Sequence, residues 1–106
     1  MESEQDLLKK IKSHSKDSVE KCKDILKLAK ALADSNPVES VKWCIKGIEI
    51  SKRIGYADGA CFNDSIGIAN VWAGNFLDAL KYFNIALQYY EQKLSTNLKQ
   101  EEEEFT

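Results

Sequence analysis

The sequence repeats itself at an interval of 39 residues, and this repeat constrains the fold more than any other feature. Asn36 aligns with Asn75, and an acidic residue follows three positions later in both copies. An aliphatic residue, a lysine, an aromatic residue and a small residue then recur in the same order: Val41 with Leu80, Lys42 with Lys81, Trp43 with Tyr82, Gly47 with Ala86. A repeat of this length has the size of a helical hairpin. Such a unit cannot bury both faces alone and must stack on a neighbour.

The number and positions of the helix-breaking residues favour long helices. There is one proline and there are five glycines in 106 residues. Asn36 and Pro37 are typical of a helix start, and Gly55 is typical of a helix end. Gly74 ends the following helix, and Asn75 is predicted to cap the last one. Apolar residues three and four apart lie between these points. The predicted fold is all-α, with two tandem antiparallel helix hairpins and a short N-terminal helix.

The chain divides into four parts on this basis. Residues 1–17 are predicted to form an N-terminal capping helix and a polar break. Residues 18–56 and 57–95 are the two repeats. Residues 96–106 are polar and contain the run Glu101–Glu104, which is interpreted as a frayed, solvated acidic tail.

Two helix starts near the N-terminus are predicted from capping residues. Ser3 and Asp6 have the spacing of a capping box. Asp17 is predicted to be the N-cap of the first long helix, with Glu20 three residues on.

The second repeat contains Ile66-Gly67, then the turn Gly74-Asn75-Phe76, then Ala79, Phe83 and Ala86 at helical spacing. This series resembles the tetratricopeptide repeat family. In that family a bulky residue and glycine precede a glycine-centred turn, after which alanine, an aromatic residue and alanine follow on the second helix. Asn63 and Asn70 depart from the tryptophan and tyrosine that the family often has, and the first repeat matches weakly at Lys27-Leu28. The resemblance covers residues 18–94. The residues that carry it are Ile66-Gly67, Gly74-Asn75-Phe76, Ala79-Leu80, Phe83 and Ala86-Leu87.

The interval exceeds the usual tetratricopeptide length of about 34 residues. The linker at residues 50–60 and Ser35-Asn36-Pro37 are similar to a long-repeat subtype found ahead of bacterial sensor histidine kinases, nucleotide cyclases and response regulators, notably in Bacteroidetes. The resemblance implies the N-terminal sensory or scaffolding repeats of a larger signalling protein. A stand-alone tetratricopeptide adaptor is the alternative.

Composition argues against several other classes. The net charge of −2 gives no basic surface for nucleic acid. No apolar run has the length of a membrane span, and residues 1–12 lack the apolar core of a secretion signal, which favours a cytoplasmic segment. Cys22, Cys44 and Cys61 are odd in number and widely spaced, so they predict small buried side chains rather than disulfides or a zinc site.

The sequence offers little catalytic chemistry. His14 is the one histidine, in a polar break, and Asp64 and Ser65 have no histidine near them in sequence. There is no glycine-rich phosphate loop and no metal-ligand spacing. We therefore expect no catalytic site, no cofactor and no metal. A helical-bundle enzyme is the least favoured hypothesis, because it would need inward carboxylates and histidines.

Two surfaces are predicted to bind protein. The first is a concave groove formed by the first helix of each repeat, which would take an apolar helix or extended peptide. The alternative is that these residues pack against the N-terminal helix or a neighbouring chain. The predicted groove residues are Cys22, Ile25, Ala29, Leu32 and Ala33 in the first repeat, and Cys61, Asp64, Ser65, Ile68, Val71 and Trp72 in the second.

The second surface is the last helix, where no further hairpin covers the apolar side chains of Phe83, Leu87, Tyr90 and Leu94. Arrays of this kind usually need at least three units, so two repeats leave an exposed end. We expect that end to pair with a second copy or with a further repeat.

Overall fold

The computed structural model describes residues 2–105, apart from the side chain of Phe105, and within this range the chain is helical with no strand. A 3-10 turn at Ala57–Ala60 precedes the fourth helix. The five α-helices are α1 (Glu4–Ser13), α2 (Val19–Leu32), α3 (Pro37–Ile54), α4 (Cys61–Trp72) and α5 (Phe76–Phe105).

Each helix packs mainly on its neighbours in sequence. α1 lies on α2, α2 on α3, α3 on α4 and α4 on α5, with a smaller contact between α2 and α4. The prediction of an all-α chain with a short N-terminal helix is therefore confirmed.

Local sequence explains where α1 and α3 begin and end. Ser3 and Asp6 form the predicted capping box. The side chain of Asn36 accepts a hydrogen bond from the Glu39 backbone N–H, and Pro37 occupies the first turn, where its missing N–H costs nothing. Gly55 ends α3 in the left-handed conformation (φ 71°) that glycine adopts readily.

The N-cap of α2 corrects a prediction. Ser18, and not Asp17, accepts the hydrogen bond from the Lys21 backbone N–H. The Asp17 carboxylate instead accepts a 2.9 Å hydrogen bond from Arg53 at the end of α3, and the pKa of Asp17 lies below its ordinary value chiefly because of that bond. Asp17 therefore binds a residue 36 positions away in sequence and does not cap α2.

The predicted end of the last helix is also wrong. α5 does not stop near Ser95 but continues to Phe105. No glycine or proline follows Gly74, and residues 96–104 contain mainly good helix formers such as leucine, lysine, glutamine and glutamate. Segment 96–105 is therefore helical in this structure, and the side chains from 91 to 104 are exposed.

The core lies between α1, α2, α3 and the inner side of α4. It is built from aliphatic side chains, two cysteines and one phenylalanine. Small residues are also buried, at Ser40, Gly47, Gly67, Ala79 and Ala86. The fully or nearly fully buried cluster comprises Leu7, Ile11, Cys22, Ile25, Leu28, Ala29, Cys44, Ile50, Phe62 and Ile66.

Two aromatic rings pack directly on glycines. The buried ring of Phe62 on α4 lies against Gly47 on α3, and the ring of Phe83 on α5 lies against Gly67 on α4. A methyl group built on Gly67 would come within 2.5 Å of Cε1 of Phe83, which is inside van der Waals contact. The missing side chains of these glycines therefore set the spacing of α3, α4 and α5.

Two pairs of positions related by the 39-residue interval are buried alike in α3 and α5. The Asn36 carbonyl accepts from the Ser40 N–H, and the Asn75 carbonyl accepts from the Ala79 N–H, both at 3.0 Å. Ser40 and Ala79 are buried, as are Gly47 and Ala86. Other related positions differ, because Val41 packs on the core whereas Leu80 is exposed.

Replacing Gly47 with alanine is expected to lower the free energy of unfolding by about 1–3 kcal/mol, since the new methyl group overlaps the immobile Phe62 ring. Urea denaturation measures this change. The Gly47→Ala, Phe62→Leu double variant is expected to be less destabilised than the sum of the single variants.

Gly55→Ala is the matched control. A Cβ at Gly55 meets nothing within 4 Å, so its cost is backbone strain alone and should not couple to Phe62→Leu. Equal coupling of both glycines to Phe62, or no effect of Gly47→Ala, would contradict this account.

Candidate functional site

Only some of the apolar side chains of α4 are buried. Phe62, Ile66 and Ala69 point into the core. The opposite side carries exposed Ile68, Val71 and Trp72, which we call the α4 patch; Trp72 is 62% exposed. The sequence of α4 is apolar nearly all round, which predicts the most enclosed helix of the chain, and this exposed side shows that prediction to be wrong. A helix that is apolar nearly all round is normally covered on every side, so the α4 patch is a candidate binding surface.

Much of the predicted concave groove is interior. Cys22, Ile25, Ala29 and Ala33 are buried and cannot line a groove open to a partner. Leu7 and Ile11 of α1 lie in the same core cluster as the first three. Helical periodicity identified the apolar face of α2 correctly, but other helices of the same chain cover this face.

The remaining groove residues divide between buried and accessible positions. Ser65 is 2% exposed, so it also leaves the predicted groove. Leu32, Cys61 and Asp64 are half-buried. The predicted groove residues that a partner could reach are therefore those of the α4 patch, with the three half-buried residues beside them.

A small apolar cavity of about 130 Å³ lies between α2 and α4. It is lined by Lys30, Ala33, Ser65 and Ile68. Among the residues described, the Ser65 hydroxyl has no hydrogen-bond partner. The cavity is small compared with the pockets of about 300–1,000 Å³ that hold drug-sized ligands.

Of the predicted self-association residues on α5, one is half-buried and three are exposed. Phe83 is half-buried against Gly67, so it belongs to the α4–α5 packing. Leu87, Tyr90 and Leu94 are exposed, at 53%, 42% and 60%. Phe76 at the start of α5 is exposed as well.

The exposed apolar surface of α5 extends further than the sequence analysis recognised. Spacings of four and seven residues place its members within about 40° of one another on an ideal helix. Leu80 and Leu98 were missed; Leu98 keeps the helical spacing, but it lies in the segment interpreted as a tail. We call this set the α5 stripe, which consists of Phe76 (64% exposed), Leu80 (59%), Leu87, Leu94 and Leu98 (51%).

Polar contacts fix the orientation of α5 on the body. The Tyr89 hydroxyl donates to Asp58 at 2.6 Å, and the Lys93 ammonium lies 3.1 Å from the same carboxylate oxygen. These two bonds hold the pKa of Asp58 below its ordinary value, while the bond to Asp58 raises the pKa of Tyr89. Asp58 therefore ties the middle of α5 to the 3-10 turn.

A second contact lies beside the α5 stripe. The Tyr90 hydroxyl approaches the Cys61 sulfur at 3.4 Å. This hydrogen bond, with some burial, raises the pKa of Tyr90 to about 12. Tyr90 contributes an amphipathic edge to the surface.

Other polar groups form pairs rather than a reactive cluster. His14 Nε2 lies 2.8 Å from an Asp24 carboxylate oxygen, which joins the break after α1 to α2. No group of three or more potential metal ligands occurs among residues 2–105. A cleft of about 330 Å³ between α3 and α4 has Lys52 as its only charged lining residue.

A scan of protein-family models, a search of curated proteins and a search of solved structures each gave no match to this chain. Over the described residues, no helix combines the length and apolar character needed to cross a membrane.

The cysteines are expected to differ in reactivity towards Ellman's reagent. Burial raises the pKa of the Cys44 thiol to about 12, so only about one molecule in 10,000 carries the reactive thiolate at pH 8. Cys22 is also buried, whereas Cys61 is partly exposed. One thiol per chain should react in the folded state and three after unfolding. Loss of the fast phase in Cys61→Ser would assign it, and a fast reaction of Cys44 would contradict the packing.

Proposed function

We propose that this chain is a protein-interaction module, which binds a protein or peptide partner through the α5 stripe and the α4 patch. The observation that carries the proposal is the exposure of five large apolar side chains in one line on α5. Single exposed apolar residues are common, but a continuous line on a folded helix is typical of a surface that another protein covers.

We further propose that the two hairpins are tetratricopeptide-like repeats. The equivalent burial of Ser40 with Ala79 and of Gly47 with Ala86 supports this assignment. In the second hairpin the Phe83 ring packs on Gly67 of the first helix. The corresponding positions in the first hairpin are Leu28 and Cys44, both buried, so the large and small residues have exchanged sides.

The resemblance to long bacterial repeats supports one biological setting. In that setting the chain would be the N-terminal regulatory part of a signalling protein with a histidine kinase or nucleotide cyclase domain. Continuation of the parent reading frame past Thr106 into more repeats and such a domain would support it. A stop codon there would favour the stand-alone adaptor.

The interior gives the helical-bundle enzyme little support. Among the described residues the buried polar side chains are the serines Ser40, Ser51 and Ser65, and the pKa of the buried Cys44 thiol is raised. The reactive groups that such an enzyme needs would have to come from elsewhere.

The interaction proposal is tested by capture from an extract of the source organism on immobilised wild type, Leu87→Glu, Trp72→Glu and Ile85→Glu. Ile85 is a matched control, since it is a partly exposed aliphatic residue about 200° around α5 from Leu87. Proteins retained by wild type and Ile85→Glu should fall at least about tenfold with Leu87→Glu, because a charge then replaces an interface leucine.

Circular dichroism must show the same helicity and melting in all four proteins for the comparison to be valid. If no protein, including this chain itself, depends on Leu87 or Trp72 for its retention, the interaction proposal is wrong.

A further inference from the structure

The spacing of the α5 stripe is symmetric about its central residue. Phe76, Leu80, Leu87, Leu94 and Leu98 are separated by four, seven, seven and four residues. The stripe therefore presents the same pattern when it is read in either chain direction. A surface that is complementary to itself after a half-turn is what a twofold homodimer requires.

From this symmetry we propose that the α5 stripe binds the α5 stripe of a second copy in antiparallel orientation, with the twofold axis at Leu87. The inference rests on the proposed interaction function and names its partner. In this arrangement Leu87 contacts its own counterpart. Leu80 faces Leu94 of the second copy, and Phe76 faces its Leu98.

Charge separates the antiparallel from the parallel arrangement. Glu101–Glu104 end α5, and a parallel pair would place the two acidic runs side by side. Antiparallel packing instead carries each run past the N-terminus of the partner helix. The two acidic runs then lie at opposite ends of the pair, so they do not repel each other across the interface.

The edge of the stripe offers one further contact in the antiparallel pair. Glu91 and Asn84 are both exposed and lie on the same side of the stripe. The antiparallel twofold brings the same edges of the two helices together. In the antiparallel pair Glu91 lies within one residue of Asn84 of the second copy, whose amide can donate to the carboxylate.

The body of the chain leaves room for such a pairing. Side chains from 91 to 104 are exposed, so the C-terminal half of α5 is available along its length. Asp58, Tyr89 and Lys93 hold α5 in a fixed orientation, so the stripe is presented without further rearrangement. The stripe is about 33 Å long, which predicts a small interface and a concentration-dependent dimer.

The first test is sedimentation equilibrium on the full chain up to about 1 mM, where even weak association becomes visible. Wild type and Ile85→Glu are expected to dimerise. Leu87→Glu should raise the dissociation constant at least about 100-fold, because the twofold axis places two glutamates in contact. A monomer at every concentration overturns the inference, and the stripe is then covered by a further repeat or another protein.

Orientation is tested by disulfide trapping in a Cys61→Ser background, with the single variants Leu80→Cys and Leu94→Cys in glutathione redox buffer. Antiparallel packing predicts that each variant alone gives no cross-linked dimer and that their equimolar mixture does. Cross-linking of each variant with itself, and none between them, overturns the inference. If either test fails but the capture of proteins from the extract still depends on Leu87, the homodimer is wrong and the proposed interaction function is retained.

Discussion

The contact of the Phe62 ring with Gly47 is the constraint on which the rest of the structure depends. It joins the first hairpin to the second, because Gly47 belongs to α3 and Phe62 to α4. A side chain at residue 47 would separate these helices and open the core around Ile50 and Ile66. The same arrangement recurs one helix later, where Phe83 packs on Gly67. Two aromatic rings on two glycines thus fix the spacing of three helices.

This arrangement also decides what remains uncovered. α4 is held by α3 and α5 and, to a smaller extent, by α2. Val71 and Trp72 stay exposed on its remaining side, and Ile68 is partly exposed beside the cavity between α2 and α4. α5 uses Ala79 and Ala86 against the body, and the adjoining stripe faces solvent. Among the described residues α5 packs mainly on α4, and this packing leaves the α5 stripe exposed.

Much of the fold was predictable because it depends on local sequence. The starts of α1 and α3, the glycine end of α3 and the small residues at helix crossings follow from capping and packing rules that act over a few residues. The N-cap of α2 was not predictable, because Arg53 binds Asp17 from another helix. The end of α5 was missed because the acidic composition suggested a solvated tail, although Leu98 keeps the helical spacing.

The interaction surfaces were only partly predictable for a related reason. Periodicity shows which face of a helix is apolar, but it does not show what covers that face. Cys22, Ile25 and Ala29 have the pattern of a groove, yet they lie in the core with residues of α1. Leu87 and Leu94 have the same kind of pattern and remain exposed. Only the packing of whole helices separates these two cases.

The central claim is that the α5 stripe is covered by a second copy, and a dilution series of ¹H–¹⁵N NMR spectra tests it most directly. The account predicts concentration-dependent amide shifts at residues 76–98, strongest near Leu87, with the amides of α1 and of the inner face of α2 unchanged. Identical spectra at all concentrations, or changes centred on α1 and α2, would contradict it.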